Sequence, residues 1–219
     1  MAILPKKTVQ EVAAYQGPPE GRLDCIRLDF GENTADFPSL YPEGLPHQWV
    51  SAYPEYGNLI NKLAATYDIA ADNILLTNGS DEGIFIVAHT FIEPGVDSAI
   101  VSKPCFVFMT QSLRLAGAKV IEVPVIFDDL SFDIKGIEAA LAGGAKMAMF
   151  ATPENPTGAV IDSKTVLDWC RRYSETLFVI DEAYIEFAPQ EQGVRDDLLR
   201  AACQLDNLIV MRTFSKGWA

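Results

Sequence analysis

Lys216 lies in Thr213-Phe214-Ser215-Lys216-Gly217-Trp218-Ala219, just beyond an apolar run, Leu208 to Val210, that reads as a buried strand. Desolvation at a strand end favours the neutral amine, the form that condenses with an aldehyde. A lysine in such a place is more often a solvated surface residue, so its companions decide. Phe178-Val179-Ile180-Asp181-Glu182-Ala183-Tyr184 is an apolar strand running into an acid, with a tyrosine three residues further on. A carboxylate there can hold a pyridine nitrogen protonated, and a protonated pyridine is the electron sink of pyridoxal phosphate chemistry. Tyr184 could donate to the phenolic oxygen of the same ring. Asp181 as a cap and Tyr184 as an amphipathic rim residue account for the same four letters.

Ala148-Met149-Phe150-Ala151-Thr152-Pro153-Glu154-Asn155-Pro156-Thr157-Gly158 is a strand followed by a turn that its prolines stiffen. Asn155, held between them, presents an amide that can hydrogen-bond a phenolic oxygen. In Leu75-Leu76-Thr77-Asn78-Gly79-Ser80-Asp81-Glu82-Gly83 a short apolar run turns sharply into a helix. Gly79 permits the turn, and the N–H groups of Ser80 and Asp81 would face an anion from the helix N-terminus. An ordinary helix cap explains this stretch equally well. Ser215 is a second candidate phosphate ligand.

These motifs, in this order, resemble the aspartate-aminotransferase-like, fold type I pyridoxal-phosphate enzymes, and among them the histidinol-phosphate aminotransferases. The resemblance runs from about Leu28 to the last residue. It implies that Lys216 carries the cofactor covalently, that Asp181 pairs with the ring nitrogen, and that Asn155 and Tyr184 contact the phenolic oxygen. It implies also that Gly79, Ser80, Asp81 and Ser215 hold the phosphate. Phe106, in Ser102-Lys103-Pro104-Cys105-Phe106, takes the place of the aromatic that stacks on the ring, with Phe108 as its competitor. Tyr53, in Ala52-Tyr53-Pro54-Glu55, matches a tyrosine sent across a dimer interface to the neighbouring phosphate, and Asn33 resembles the substrate-side segment. The expected protein is thus a homodimer with shared active sites, passing an amino group from an amino donor to a 2-oxo acid. Decarboxylases of phosphorylated amino acids and non-catalytic sensor modules share the cofactor residues. Two departures stand out: Thr34-Ala35-Asp36-Phe37 follows Asn33 where the family has a proline and an aromatic, and the chain stops at Ala219, before the family's later arginines and its C-terminal small domain.

Positioning these residues requires strands near 74–77, 98–102, 119–123, 146–151, 177–181 and 208–212 with helices between them. Such alternation predicts a mostly parallel sheet in a three-layer α/β/α arrangement, with every candidate at a C-terminal strand end. Val166, Trp169, Cys170 and Tyr173 form an apolar stripe on a helix over 163–174, capped by Asp162 or Ser163. Residues 1–50, rich in proline and glycine, read as an N-terminal arm, and 51–219 as the cofactor-binding domain, incomplete at its C-terminal end.

A chain of 219 residues, 49% hydrophobic, can bury one substantial core. The formal net charge of −13 disfavours nucleic acid. No stretch reads as a membrane span and the first residues lack a secretory core, which predicts a cytoplasmic protein. Cys25, Cys105, Cys170 and Cys203 are scattered without metal-ligand spacing and read as free thiols. His47 and His89 are isolated, and His89 reads as a structural histidine.

Overall fold

A strand covered by helices on both faces has no polar side to present, so short uninterrupted apolar runs build this sheet. The computed structural model describes residues 3–14, 16–29, 46, 48–188 and 197–218. Its strands are β1 (Ser98–Lys103), β2 (Lys119–Pro124), β3 (Met147–Ala151), β4 (Leu177–Asp181) and β5 (Leu208–Met211). They lie in the order β2-β1-β3-β4-β5, every pair parallel. The helices among the described residues are α1 (Lys7–Gln10), α2 (Gln48–Ser51), α3 (Gly57–Tyr67), α4 (Gly79–Phe91), α5 (Val107–Leu115), α6 (Ile134–Leu141), α7 (Ser163–Arg172) and α8 (Asp197–Ala202). Met1–Val12 and Leu75–Ala219 form one compact unit, which holds the sheet, and Ala13–Ile74 forms another. The predicted boundary near residue 50 coincides with neither.

Alternation along each strand sends successive side chains to opposite faces. Ile100, Ala148, Phe150, Phe178 and Ile180 pack with Ile137 and Leu141 of α6, Val166 and Trp169 of α7 and Leu198 of α8. Ala99, Val101, Met147, Met149 and Val179 pack on the other face with Ile84 and Val87 of α4 and Met109 and Leu113 of α5. The sheet is therefore the middle of three layers, as expected. Trp169 is fully buried, its ring 6.0 Å from that of Phe150 and 6.3 Å from that of Phe178. Truncating such a residue to alanine costs about 3–5 kcal/mol. Asp162 caps α7, its side chain accepting the Thr165 N–H, while Tyr173 closes the helix as C-cap.

One predicted strand is absent. Ile74 has extended dihedrals, but residues 74–77 join no ladder, and Leu75 is 74% exposed. An apolar run acquires the character of a strand only when a neighbour pairs with its backbone, and within the described residues none does. His89 sits on α4 as a structural residue, Nδ1 3.0 Å from the Phe85 carbonyl oxygen and its ring stacked 3.9 Å from that of Phe85. All four cysteines are free. Among the described residues no helix is long and apolar enough to cross a membrane, and no cluster of metal-ligating side chains occurs.

Candidate functional site

Parallel strands bring all five C-terminal ends to one rim. From β1 the chain passes through α5 on one face to β2, and from β2 through α6 on the other face to β3. The direction of winding thus reverses between β1 and β3, where open α/β sheets hold their ligands. The strands pair at Ala99 with Met147 and at Ile100 with Ala148, and then part. On its other side β1 stays in register with β2 from Ser98 to Lys103.

Asp181 ends β4 beside this crevice and is 4% exposed. Burial pushes its carboxyl up to about 6, with a further rise from the nearby Asp81 charge. The Ala183 N–H, the Ser80 hydroxyl and the Lys216 charge act in the opposite direction. The Ala183 N–H donates to Asp181 Oδ1 at 3.1 Å. A buried acid balanced in this way is set to pair with a cation brought to it.

Asn155 follows β3, in a turn closed by the Glu154 N–H donating to the Ala159 carbonyl at 2.8 Å and the Gly158 N–H donating to the Glu154 carbonyl at 2.7 Å. Asn155 Nδ2 donates across a long 3.4 Å to the Tyr184 hydroxyl. The two groups predicted to meet one phenolic oxygen therefore converge. Lys216 Nζ lies over the Tyr184 ring, 5.7 Å from its centroid. Sequence reasoning expected a desolvated lysine, but Lys216 is exposed, because it lies in a turn beyond β5 and not at the strand's buried end.

That turn is anchored to the neighbouring strand end. The Glu182 N–H donates to the Met211 carbonyl at 2.8 Å, and Arg212 Nε donates to the fully buried Glu182 carboxylate at 2.8 Å. Trp218 Nε1 donates to Glu186 Oε1 at 2.8 Å. A Cβ on Gly217 would come within 2.7 Å of Glu186 Cβ, so only glycine allows this approach.

The phosphate candidates gather beside the same turn. Gly79 opens α4 at φ +72°, a conformation that glycine adopts without strain. The first N–H groups of a helix have no partner within it and present partial positive charge, so α4 offers an anion seat at Ser80 and Asp81. The Asp81 carboxylate would repel an anion, which leaves its backbone as the ligand. The Ser80 hydroxyl lies near Asp181 and opposes the rise of its carboxyl. Thr213 Oγ1 lies 2.8 Å from Ser215 Oγ, accepts the Ser215 N–H at 3.2 Å, and is 3.9 Å from where a Gly79 Cβ would stand. It joins the two halves of the seat, a role that sequence reasoning left unassigned although the Thr-x-Ser spacing carries it.

Glu154 was also missed. Its side chain is buried, 3% exposed, and accepts from the Ser102 hydroxyl at 2.6 Å and the Asn155 N–H at 3.0 Å, with the Phe106 N–H close by. Burial pushes its carboxyl up to about 7 against those three donors. Phe106 is half-buried at the N-cap of α5, its ring 6.4 Å from that of Phe108. Tyr53 belongs to the Ala13–Ile74 unit, where it lines a cavity with Pro18, Arg22 and Arg27. Asn33 lies outside the described residues.

Residues 48–219 match the family described as aminotransferase class I and II. A histidinol-phosphate aminotransferase of Buchnera aphidicola subsp. Schlechtendalia chinensis is 30% identical over 219 residues, covering 99% of this chain and 58% of that protein. Histidinol-phosphate aminotransferase 1 of Legionella pneumophila (strain Paris) is 34% identical over 171 residues, covering 76% of this chain and 46% of that protein. The crystal structure of histidinol-phosphate aminotransferase from Sinorhizobium meliloti, in complex with pyridoxal-5'-phosphate, superposes with a TM-score of 0.67 at 25% identity, over 76% of this chain and 44% of that one. This chain spans about half the length of these relatives.

Proposed function

We propose, from the premise that the chain belongs to the class I and II aminotransferases, that it carries the cofactor-binding residues of a pyridoxal 5'-phosphate-dependent transaminase. The reaction passes an amino group between an amino acid, or an amino-alcohol phosphate of the histidinol-phosphate kind, and a 2-oxo acid. The observation that carries this reading is the convergence of Asp181, Asn155, Tyr184 and Lys216 on one crevice, beside the N-terminus of α4.

The donor set fits the cofactor. A glycine-opened helix start with Thr213 and Ser215 beside it suits a phosphate, a buried acid raised to about 6 suits a protonated ring nitrogen, and an amide beside a phenol suits a phenolic oxygen. When bound, pyridoxal phosphate supplies an electron sink for the bond broken at a substrate α-carbon. With the cofactor bound, Asp181 would hold the proton on the ring nitrogen by charge pairing, Asn155 and Tyr184 would donate to the phenolic oxygen, and Phe106 would pack against the ring. Lys216 Nζ, exposed and next to Tyr184, would carry a proton to and from the substrate α-carbon.

A decarboxylase of phosphorylated amino acids would use the same residues, and the aminotransferase names of the relatives at 30% and 34% identity favour transamination. We assign Tyr53 to a homodimer interface with shared active sites. A cytoplasmic location accords with four free thiols. The test is to add pyridoxal phosphate, record the visible absorption band, reduce with borohydride and map the adduct. It is expected on Lys216, and an adduct on Lys146 or Lys164 refutes the assignment. A panel of amino donors, read for keto product and for carbon dioxide, then separates transfer from decarboxylation.

A further inference from the structure

We propose that Glu154 is a positioning residue whose buried carboxyl bridges the gap between β1 and β3 and sets Asn155 and Phe106 relative to each other. The inference rests on the reading above, in which those two side chains serve the cofactor ring. Beyond Ile100 and Ala148 the backbones of β1 and β3 no longer pair, so another group must hold the two strand ends together. Glu154 does this from the turn after β3. One carboxyl oxygen, Oε2, takes the Ser102 hydroxyl of β1 at 2.6 Å, and the other, Oε1, takes the Asn155 N–H at 3.0 Å. The Phe106 N–H, at the start of α5, lies near enough to the same carboxyl to oppose the rise that burial causes.

Two donors, one from β1 and one from the turn after β3, thus meet one buried acceptor, with the Phe106 N–H close by. A carboxylate offers two oxygens and no donor of its own, whereas the amide of a glutamine offers one acceptor oxygen and two donors facing groups that are themselves donors. Asparagine, serine or alanine at this position would leave the buried Ser102 hydroxyl without this partner. Burying an acid is costly unless its hydrogen bonds are made, so a glutamate at 3% exposure between two site segments is explained by the donors it collects.

The experiment compares the wild-type chain with Glu154→Gln, Glu154→Ala, Ser102→Ala and Asn155→Ala. It reads pyridoxal phosphate affinity, the pH midpoint of the visible band after binding, and thermal unfolding. Glu154→Ala is expected to weaken affinity by about tenfold or more and to move the midpoint, with Glu154→Gln and Ser102→Ala in between. Because Glu154 acts through Asn155, Glu154→Gln combined with Asn155→Ala should shift the midpoint by less than the sum of the single changes. Variants that melt earlier yet keep the wild-type affinity and midpoint overturn the proposal, since a merely structural role would do just that. If Glu154→Ala fails to fold, the same result for Glu154→Gln and Ser102→Ala overturns it. A wild-type chain that binds no pyridoxal phosphate overturns the cofactor reading and this proposal together, whereas binding that ignores Glu154 overturns the proposal alone.

Discussion

Lys216 Nζ stands over the face of the Tyr184 ring, 5.7 Å from its centroid, while the hydroxyl of that ring meets Asn155. One tyrosine therefore contacts the residue proposed to move protons and the residue proposed to orient the ring. Tyr184→Phe keeps the ring face and loses the hydroxyl. It should leave borohydride trapping on Lys216 intact and shift the pH midpoint of the visible band, whereas Tyr184→Leu should also alter the trapping rate, since a cation over an exposed ring is worth about 0.5–1 kcal/mol. Identical titrations for Tyr184→Phe and wild type would remove the hydroxyl from the mechanism.

Asp181→Asn separates binding from turnover. Asparagine fills the same space but cannot hold the ring nitrogen protonated by charge, so cofactor should still load while transamination drops by about 10²-fold or more. Stopped-flow turnover of the loaded variant decides, and near-wild-type rates would sink the electron-sink assignment.

Stability of the cofactor-free protein should fall as pH rises. Burial moves Asp181 from its ordinary 3.8 to about 6 and Glu154 from 4.5 to about 7. Both acids hold protons in the folded state that the unfolded chain has already released. Their contribution is full below the ordinary values and is lost as pH climbs through about 6 and about 7, on the order of 2–3 kcal/mol for each. Melting curves between pH 4 and pH 8 should show this decline, flattened in Asp181→Asn combined with Glu154→Gln. A double variant with the wild-type slope would place the pH dependence elsewhere.

If Tyr53 serves a neighbouring subunit's phosphate, mixing Tyr53→Phe chains with Lys216→Ala chains should create hybrid dimers in which one site carries both lesions and the other carries neither. Activity above that of either parent is the expected result. Hybrids no better than the parents would confine Tyr53 to its own subunit.

Much of the sheet was legible because β3 and, up to its final Asp181, β4 are apolar, are buried throughout, and lead into the motifs that carry the chemistry. Asp181, Asn155 and Tyr184 stand out for the same reason: Asp181 ends such a strand and the other two follow one. Ile74 to Leu76 looked similar, but a strand depends on its partner, which a local pattern does not reveal. Glu154 was invisible because a charged residue in a proline-rich turn reads as solvated. Its burial arises from the parting of β1 and β3, two segments 52 positions apart at the Ser102 contact. Lys216 shows the reverse error, a lysine expected in the interior that the turn places in solvent.

The strand order has a bearing on how the molecule assembles. After β1, each strand adds to an edge already present: β2 to one side of β1, β3 to the other, β4 to β3 and β5 to β4. Among the described residues no strand has to be inserted between two that have already joined, so these five strands can add in the direction in which a ribosome delivers them. Of the residues placed in the site, those of the lysine turn are consequently delivered last, after the crevice and its acid. An early chain would hold a shaped crevice that has no amine to make a covalent bond. Pulse-labelled hydrogen exchange during refolding should find the amides of β5 protected after those of β1 and β3, and simultaneous protection of all five strands would indicate concerted closure instead.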